Sequence, residues 1–193
     1  MKSKYNIIFL DIDGVLNGYN FWNCLGWKLV CLTKNKNIKS WYRKITDPCG
    51  VHERKVKRLS KIIKATNAKV VMTSSWRFGW VKIPYENAPE DFRKLSDLFI
   101  EYNIDVIDIT PDLHRKNLKR DREILQWLYE NEDKVDKYII LDDDNTLLPY
   151  YKDDERFIQT SSVAKGVMIC GHYKENTGLK NRHVEEAIRI LNS

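Results

Sequence analysis

Apolar residues fall along this chain in two rhythms. Residues 5–10, Tyr-Asn-Ile-Ile-Phe-Leu, are a nearly continuous apolar run, the pattern of a strand buried on both faces of a sheet. Residues 53–66 place Val56, Leu59, Ile62 and Ile63 at helical spacing, which predicts a helix with one inward face. Residues 68–72 predict a second buried strand. Residues 89–102 predict a helix, with Glu90 and Asp91 in the first turn, where the helix dipole favours acids. Its inward positions are Phe92, Leu95, Leu98 and Phe99. A third strand at 104–109 is stopped by Thr110-Pro111. A helix follows at 120–130, with Ile124, Trp127 and Leu128 on one side. A fourth strand at 138–141, a candidate fifth at 156–159 and a closing helix at 181–191 complete the series, the last with Val184, Ala187, Ile188 and Leu191 inward.

Repeated strand–helix alternation predicts an α/β fold: a Rossmann-like parallel sheet in three layers, with helices on both faces. Functional groups in such sheets gather beyond the carboxyl ends of the strands. Residues 17–50 break the alternation between the first strand and the first helix. They are read as a small cap-like insert, rising over that same edge within a single domain spanning 1–193. The insert is aromatic (Tyr19, Phe21, Trp22, Trp27, Trp41, Tyr42) and leads into a basic stretch.

Composition changes this picture little. Of 193 residues, 42% are apolar and 31% charged, the balance of an ordinary globular domain. No stretch approaches the roughly 20 apolar residues that cross a bilayer. The apolar run at the start is shorter than a secretory core and ends in two aspartates, so it reads as a first strand of a cytoplasmic protein. The four cysteines, Cys24, Cys31, Cys49 and Cys170, form no CxxC pair. Cys49 and His52, with Cys24 and Cys31 upstream, make a zinc site conceivable, but the two tight ligand pairs usual for zinc are missing. The net charge of +6 is uneven. Residues 28–64 carry Lys28, Lys34, Lys36, Lys39, Arg43, Lys44, Arg54, Lys55, Lys57, Arg58, Lys61 and Lys64 against Asp47 and Glu53. Such a cluster suits a polyanionic partner and equally suits a solvated surface.

The chemistry concentrates at strand ends. Asp11-Ile12-Asp13-Gly14-Val15-Leu16 follows the first strand. If strand geometry persists, Asp11 and Asp13 point to the same side, and each disfavours the other's ionisation unless a divalent cation lies between them. Gly14 permits a sharp exit. After the second strand, Thr73-Ser74-Ser75-Trp76-Arg77 offers hydroxyls for a phosphate oxygen, and Arg77 offers a bidentate fork; a plain serine-rich turn would read the same way. The fourth strand ends in Leu141-Asp142-Asp143-Asp144-Asn145, and all-oxygen ligands favour Mg²⁺ over zinc. A positive group is needed among so many acids. Arg115, Lys116, Lys119, Arg120 and Arg122 precede the fourth strand; Arg120 lies four residues before Ile124 and shares its inward face, with Lys119 and Arg122 behind it.

This set resembles the haloacid dehalogenase (HAD) superfamily of phosphatases, in which DxDGT or DxDGV follows strand one, Thr or Ser strand two, Lys or Arg precedes strand four, and paired acids follow it. The segments DIDGVLN, TSSWR, REILQWL and LDDD are further similar to the small-capped nucleic-acid-repair branch and to the phosphatase domain of phage-type polynucleotide kinase. Val15 stands where many members have Thr. The resemblance implies that Asp11 is the nucleophile and Asp13 the proton-transfer group. It implies Mg²⁺ held by Asp11, the Asp13 backbone carbonyl, Asp142 and Asp143. Thr73 and Ser74 would bind the phosphoryl group, and Arg120 would offset its charge. Crowding by acids is expected to keep Asp13 protonated for the first step. The expected substrate is a phosphorylated nucleic-acid end or nucleotide. A small-metabolite phosphatase and a non-catalytic phosphate- or nucleic-acid-binding module are the alternatives. No GxxxxGK[ST] loop occurs, so a kinase or ligase acting with it is expected on a separate chain.

Overall fold

A computed structural model describes residues 4–17, 30, 32–33, 35–39, 41, 50–113, 119–144, 146, 148–160 and 178–193. Five strands form one parallel sheet: β1 (Tyr5–Leu10), β2 (Lys69–Met72), β3 (Val106–Ile109), β4 (Val135–Asp142) and β5 (Phe157–Gln159), in the order β3-β2-β1-β4-β5. The helices among the described residues are α1 (Glu53–Thr66), α2 (Arg77–Lys82), α3 (Glu90–Glu101), α4 (Arg120–Glu130) and α5 (Asn181–Asn192).

Strand periodicity divides the core into two layers. Ile8 and Leu10 of β1 face one side, where they join Leu59 and Ile62 of α1, Leu95 and Phe99 of α3, and Val184 and Ala187 of α5. Ile7 and Phe9 face the other, with Ile124 and Trp127 of α4. Phe9 meets Trp127 edge-on, with ring centroids 5.4 Å apart. All four β1 side chains are fully buried, and each such burial stabilises by roughly 1.5–3 kcal/mol. This is the expected three-layer α/β architecture. α1 ends at Asn67, which takes a left-handed conformation (φ 52°) and donates its N–H to the Ile63 carbonyl, as asparagine tolerates.

Two differences from the sequence reading have local causes. β4 starts at Val135, earlier than residue 138, because Asp136 and Lys137 hide a strand start that is not buried on both sides. The helix α2 was not anticipated; it has only six residues, too few for a helical period to show. Within the insert, residues 36–39 form a helical turn whose start is capped by Asn35, its Oδ1 accepting from the Asn37 N–H at 2.9 Å. Trp41 is exposed. Most of the insert, Lys34 and all four cysteines lie outside the described residues, so its cap-like form and the zinc alternative do too.

Candidate active site

Parallel register brings the chemistry together. Leu10 pairs with Met72 on one side and with Leu141 on the other. The next residues therefore stand side by side: Asp11 between Thr73 and Asp142. Backbone bonds continue past the strands at this level. Asp11 N–H donates to the Leu141 carbonyl (2.9 Å), Thr73 N–H to Leu10 (2.9 Å) and Thr160 N–H to Asp142 (2.9 Å). The chain runs β1, β2, β3 outward and then returns to place β4 beside β1, so Asp11 and Asp142 flank the topological switch point, the crevice where open α/β sheets bind ligands.

Asp11, Asp142 and Asp143 each offer a carboxylate oxygen, all within 4.8 Å of one another. Asp11 and Asp142 are buried. Arg120, the first residue of α4, reaches both: its Nη1 lies 3.3 Å from Asp11 Oδ1 and is hydrogen-bonded to Asp142. Burial pushes the Asp11 carboxyl up to about 8; the Asp142 charge adds to the rise, while Arg120 and a hydrogen bond from the Ser74 hydroxyl oppose it. Burial also raises Asp142, against Arg120 and the Asp144 N–H. Arg120 itself is held above its ordinary value, because Asp11 and Asp142 outweigh the desolvation of its guanidinium. Among the described residues one cation faces three carboxylates, and the excess negative charge is offset by protons or by a metal. With oxygen donors alone, that excess fits a hard divalent cation.

Asp13 does not share this crowd. Strand geometry ends at Leu10, residues 13–16 turn, and Asp13 is exposed. The Asp11–Asp13 repulsion expected from i, i+2 spacing weighs less on Asp11 than the repulsion from Asp142. Asp13 is gripped instead by two donors, Asn17 Nδ2 on Oδ1 (2.7 Å) and Trp76 Nε1 on Oδ2 (3.1 Å). The loop beneath it is bonded throughout. Asn17 Oδ1 accepts from the Gly14 N–H (2.8 Å). The carbonyls of Gly14, Val15, Leu16 and Asn17 accept from Thr160 Oγ1, Leu179 N, His52 N and Lys55 Nζ. This satisfies the irregular buried backbone. Gly14 has φ +73°, and a Cβ there would lie 2.3 Å from Asp143 Cγ; only glycine lets Asp143 come so close.

Thr73 and Ser74 stand beside Asp11, both fully buried. Ser74 bonds Asp11, whereas Thr73 Oγ1 has no hydrogen-bond partner among the described residues. A buried hydroxyl without a partner costs free energy until an acceptor or donor arrives. Arg77 departs from the expectation that its fork holds phosphate. It is buried, and Nη2 grips both oxygens of Glu123 on α4 (2.9 and 3.0 Å), while Nη1 donates to the Thr73 carbonyl. Glu123 also accepts from the Leu113 N–H (3.1 Å). The pair ties the Thr73 loop to the helix that carries Arg120. Asp144 is engaged locally, its Oδ1 accepting from Thr146 N and Oγ1. Arg115 and Lys116 lie outside the described residues, and Lys119 Nζ reaches the Thr146 carbonyl. Asn17, Trp76 and Glu123 were missed by sequence reasoning. Glu123 had a signal: an acid beside Ile124 on an inward helix face needs a partner.

Two outcomes follow from this geometry. Glu123→Ala leaves the Arg77 guanidinium buried and unpaired and is expected to cost about 3–5 kcal/mol in urea unfolding; a cost under about 1 kcal/mol contradicts the buried pair. The second concerns pH. Asp11 titrates at about 8 in the fold against an ordinary 3.8. Without metal, the stability from its bound proton is therefore complete below its ordinary value and lost as pH rises through about 8. Thermal unfolding in chelator is expected to weaken across that window, and Asp11→Asn to flatten the decline.

Over residues 7–166 the chain matches a family model described as the HAD domain in Swiss Army Knife RNA repair proteins. No curated protein matches it, and no solved structure does. The matched span takes in β1 from Ile7 onward, the other four strands and the carboxylates at the switch point, and the chain belongs to the HAD superfamily as a HAD domain of the kind found in Swiss Army Knife RNA repair proteins.

Proposed function

We propose that this protein is a magnesium-dependent phosphatase that removes the terminal phosphate of a nucleic-acid end, RNA first among them, or of a nucleotide, through an aspartyl-phosphate on Asp11. The observation that carries this reading is a buried Asp11 set between Arg120 and a Thr73 hydroxyl that has no partner among the described residues, with Asp13 held two residues on. The family match supports phosphatase-type chemistry in RNA repair, and a cytoplasmic setting accords with it.

Asp11, Asp142 and Asp143, with the Asp13 carbonyl, would hold Mg²⁺, which when bound offsets the negative charge of phosphate and carboxylates. Asp11 Oδ attacks phosphorus, and the bond to the leaving oxygen breaks. Asp13 gives its proton to that oxygen, which departs as an alcohol. Asp13 then takes a proton from water as the water attacks the phosphoryl group, and Asp11 and inorganic phosphate are released. Arg120 faces the charge on Asp11 and the phosphoryl oxygens. Thr73 and Ser74 hold those oxygens, with Arg77 behind them as the brace of their loop. Lysines of the insert, Lys34, Lys36 and Lys39, track a nucleic-acid backbone, and any kinase or ligase of the same repair step is a separate chain.

The test is phosphate release with Mg²⁺ from 3′- and 5′-phosphorylated oligonucleotides, mononucleotides and sugar phosphates. Oligonucleotide ends are expected to be preferred; a preference for sugar phosphates turns the reading to a small-metabolite phosphatase. Asp11→Asn is expected to remove turnover, and Asp13→Asn to lower it roughly 10²–10⁴-fold. In calorimetric titration, Asp142→Ala is expected to weaken Mg²⁺ binding more than Asp144→Ala, and equal affinities contradict the metal placement. Neutralising Lys34, Lys36 and Lys39 together is expected to flatten the salt dependence for an oligonucleotide by about 0.7 in slope for each phosphate that a lysine no longer neutralises.

A further inference from the structure

The indole of Trp76 does something the phosphatase chemistry does not itself require. Its Nε1–H donates to Asp13 Oδ2 at 3.1 Å, while Asn17 Nδ2 donates to Oδ1 at 2.7 Å. Each oxygen of the carboxyl thus receives one donor, from opposite segments of chain. Asp13 is exposed, and an exposed aspartate with no donors samples several rotamers. Two donors from fixed groups select one orientation of its plane.

The indole is fixed in turn. It stacks on Phe92 of α3 with centroids 4.7 Å apart and planes inclined by 23°, in the offset-stacked arrangement that aromatic rings favour. Phe92 has room there only because residue 79 lacks a side chain. A Cβ on Gly79 would lie 2.3 Å from Phe92 Cε1, a clash that a rigid ring relieves only by moving. Gly79, Phe92, Trp76 and Asp13 therefore form a packed series from α2 and α3 to the reacting carboxyl. Trp80, on the same helix, packs against Phe99 at 5.6 Å instead.

We propose that Trp76 is the positioning residue for proton transfer at Asp13, aiming that carboxyl at the leaving-group oxygen, and that Gly79 and Phe92 hold the indole in place. This rests on the phosphatase reading above. The consequence is selective. A sugar hydroxyl leaves poorly as an alkoxide and needs the proton as the P–O bond breaks. A nitrophenolate leaves without it. Misaiming Asp13 therefore slows phosphoenzyme formation from a nucleotide-type ester more than from p-nitrophenyl phosphate.

The experiment is single-turnover kinetics with excess protein and Mg²⁺, comparing a terminally phosphorylated oligonucleotide with p-nitrophenyl phosphate. Trp76→Phe keeps the ring and removes the donor. Its rate is expected to fall roughly 10–100-fold more for the oligonucleotide than for the nitrophenyl ester, a fraction of the 10²–10⁴ available to a positioned acid. Gly79→Ala, which leaves the indole in the chain but displaces Phe92, is expected to shift the ratio in the same direction and serves if Trp76→Phe does not fold. Trp80→Phe is expected to leave the ratio as in the wild type. Equal losses on both substrates, or no loss, in Trp76→Phe and Gly79→Ala overturn the proposal while the phosphatase reading stands. Wild-type protein that releases phosphate from neither ester overturns both.

Discussion

Crowding of carboxylates at the ends of β1 and β4 is the constraint on which the rest of this structure depends. Parallel register sets Asp11 beside Asp142, and a glycine at position 14 lets Asp143 close in. In a buried setting like charges repel strongly and are poorly hydrated. Arg120 answers part of that repulsion, and the remaining negative charge fits a cation held by Asp11, Asp142 and Asp143. Around this nucleus the surrounding elements act as restraints. Arg77 and Glu123 hold α4, and so Arg120, at a fixed distance from the Thr73 loop. Thr160, Leu179, His52 and Lys55 hold the backbone of residues 14–17 from outside.

Those restraints bind stability and function together. Lys55 belongs to the basic stretch that sequence alone offers to a polyanion, yet its Nζ is spent on the Asn17 carbonyl, 2.8 Å away, and it is buried. Arg58 likewise reaches the Leu179 carbonyl and Asn181, and Lys57 pairs with Glu53 on α1. A charge count along α1 therefore overstates what faces a nucleic acid. The exposed positive groups include Lys61 and Lys64 on α1 and Lys36 in the insert.

The sheet was legible because its strands are buried on both faces and its helices are amphipathic: β1, α1 and α4 fall where their apolar periods end. Asp11, Asp142 and the inward register of Arg120 were legible for the same reason, since each is counted from an apolar landmark. The orientation of Asp13 was not, because a turn after Leu10 cancels strand alternation and sends the second carboxylate outward. Nor was the fate of Arg77. A fork suited to phosphate is equally suited to a carboxylate, and Glu123 lies 46 residues away in the chain. Trp76 was invisible as a donor to Asp13 for a similar reason: no local pattern joins residues that meet only once β1 and β2 lie side by side.

The proposed mechanism requires that phosphorus be transferred to Asp11. The most direct measurement is mass spectrometry of the protein quenched in acid during turnover of a phosphorylated oligonucleotide with Mg²⁺, followed by peptide mapping. A phosphoryl group is expected on the peptide that contains Asp11, absent in Asp11→Asn and accumulating in Asp13→Asn given p-nitrophenyl phosphate, whose leaving group needs no proton, because there the water step is the one slowed. Turnover with no phosphorylated peptide in either the wild type or Asp13→Asn, or a phosphoryl group carried by another residue, contradicts it.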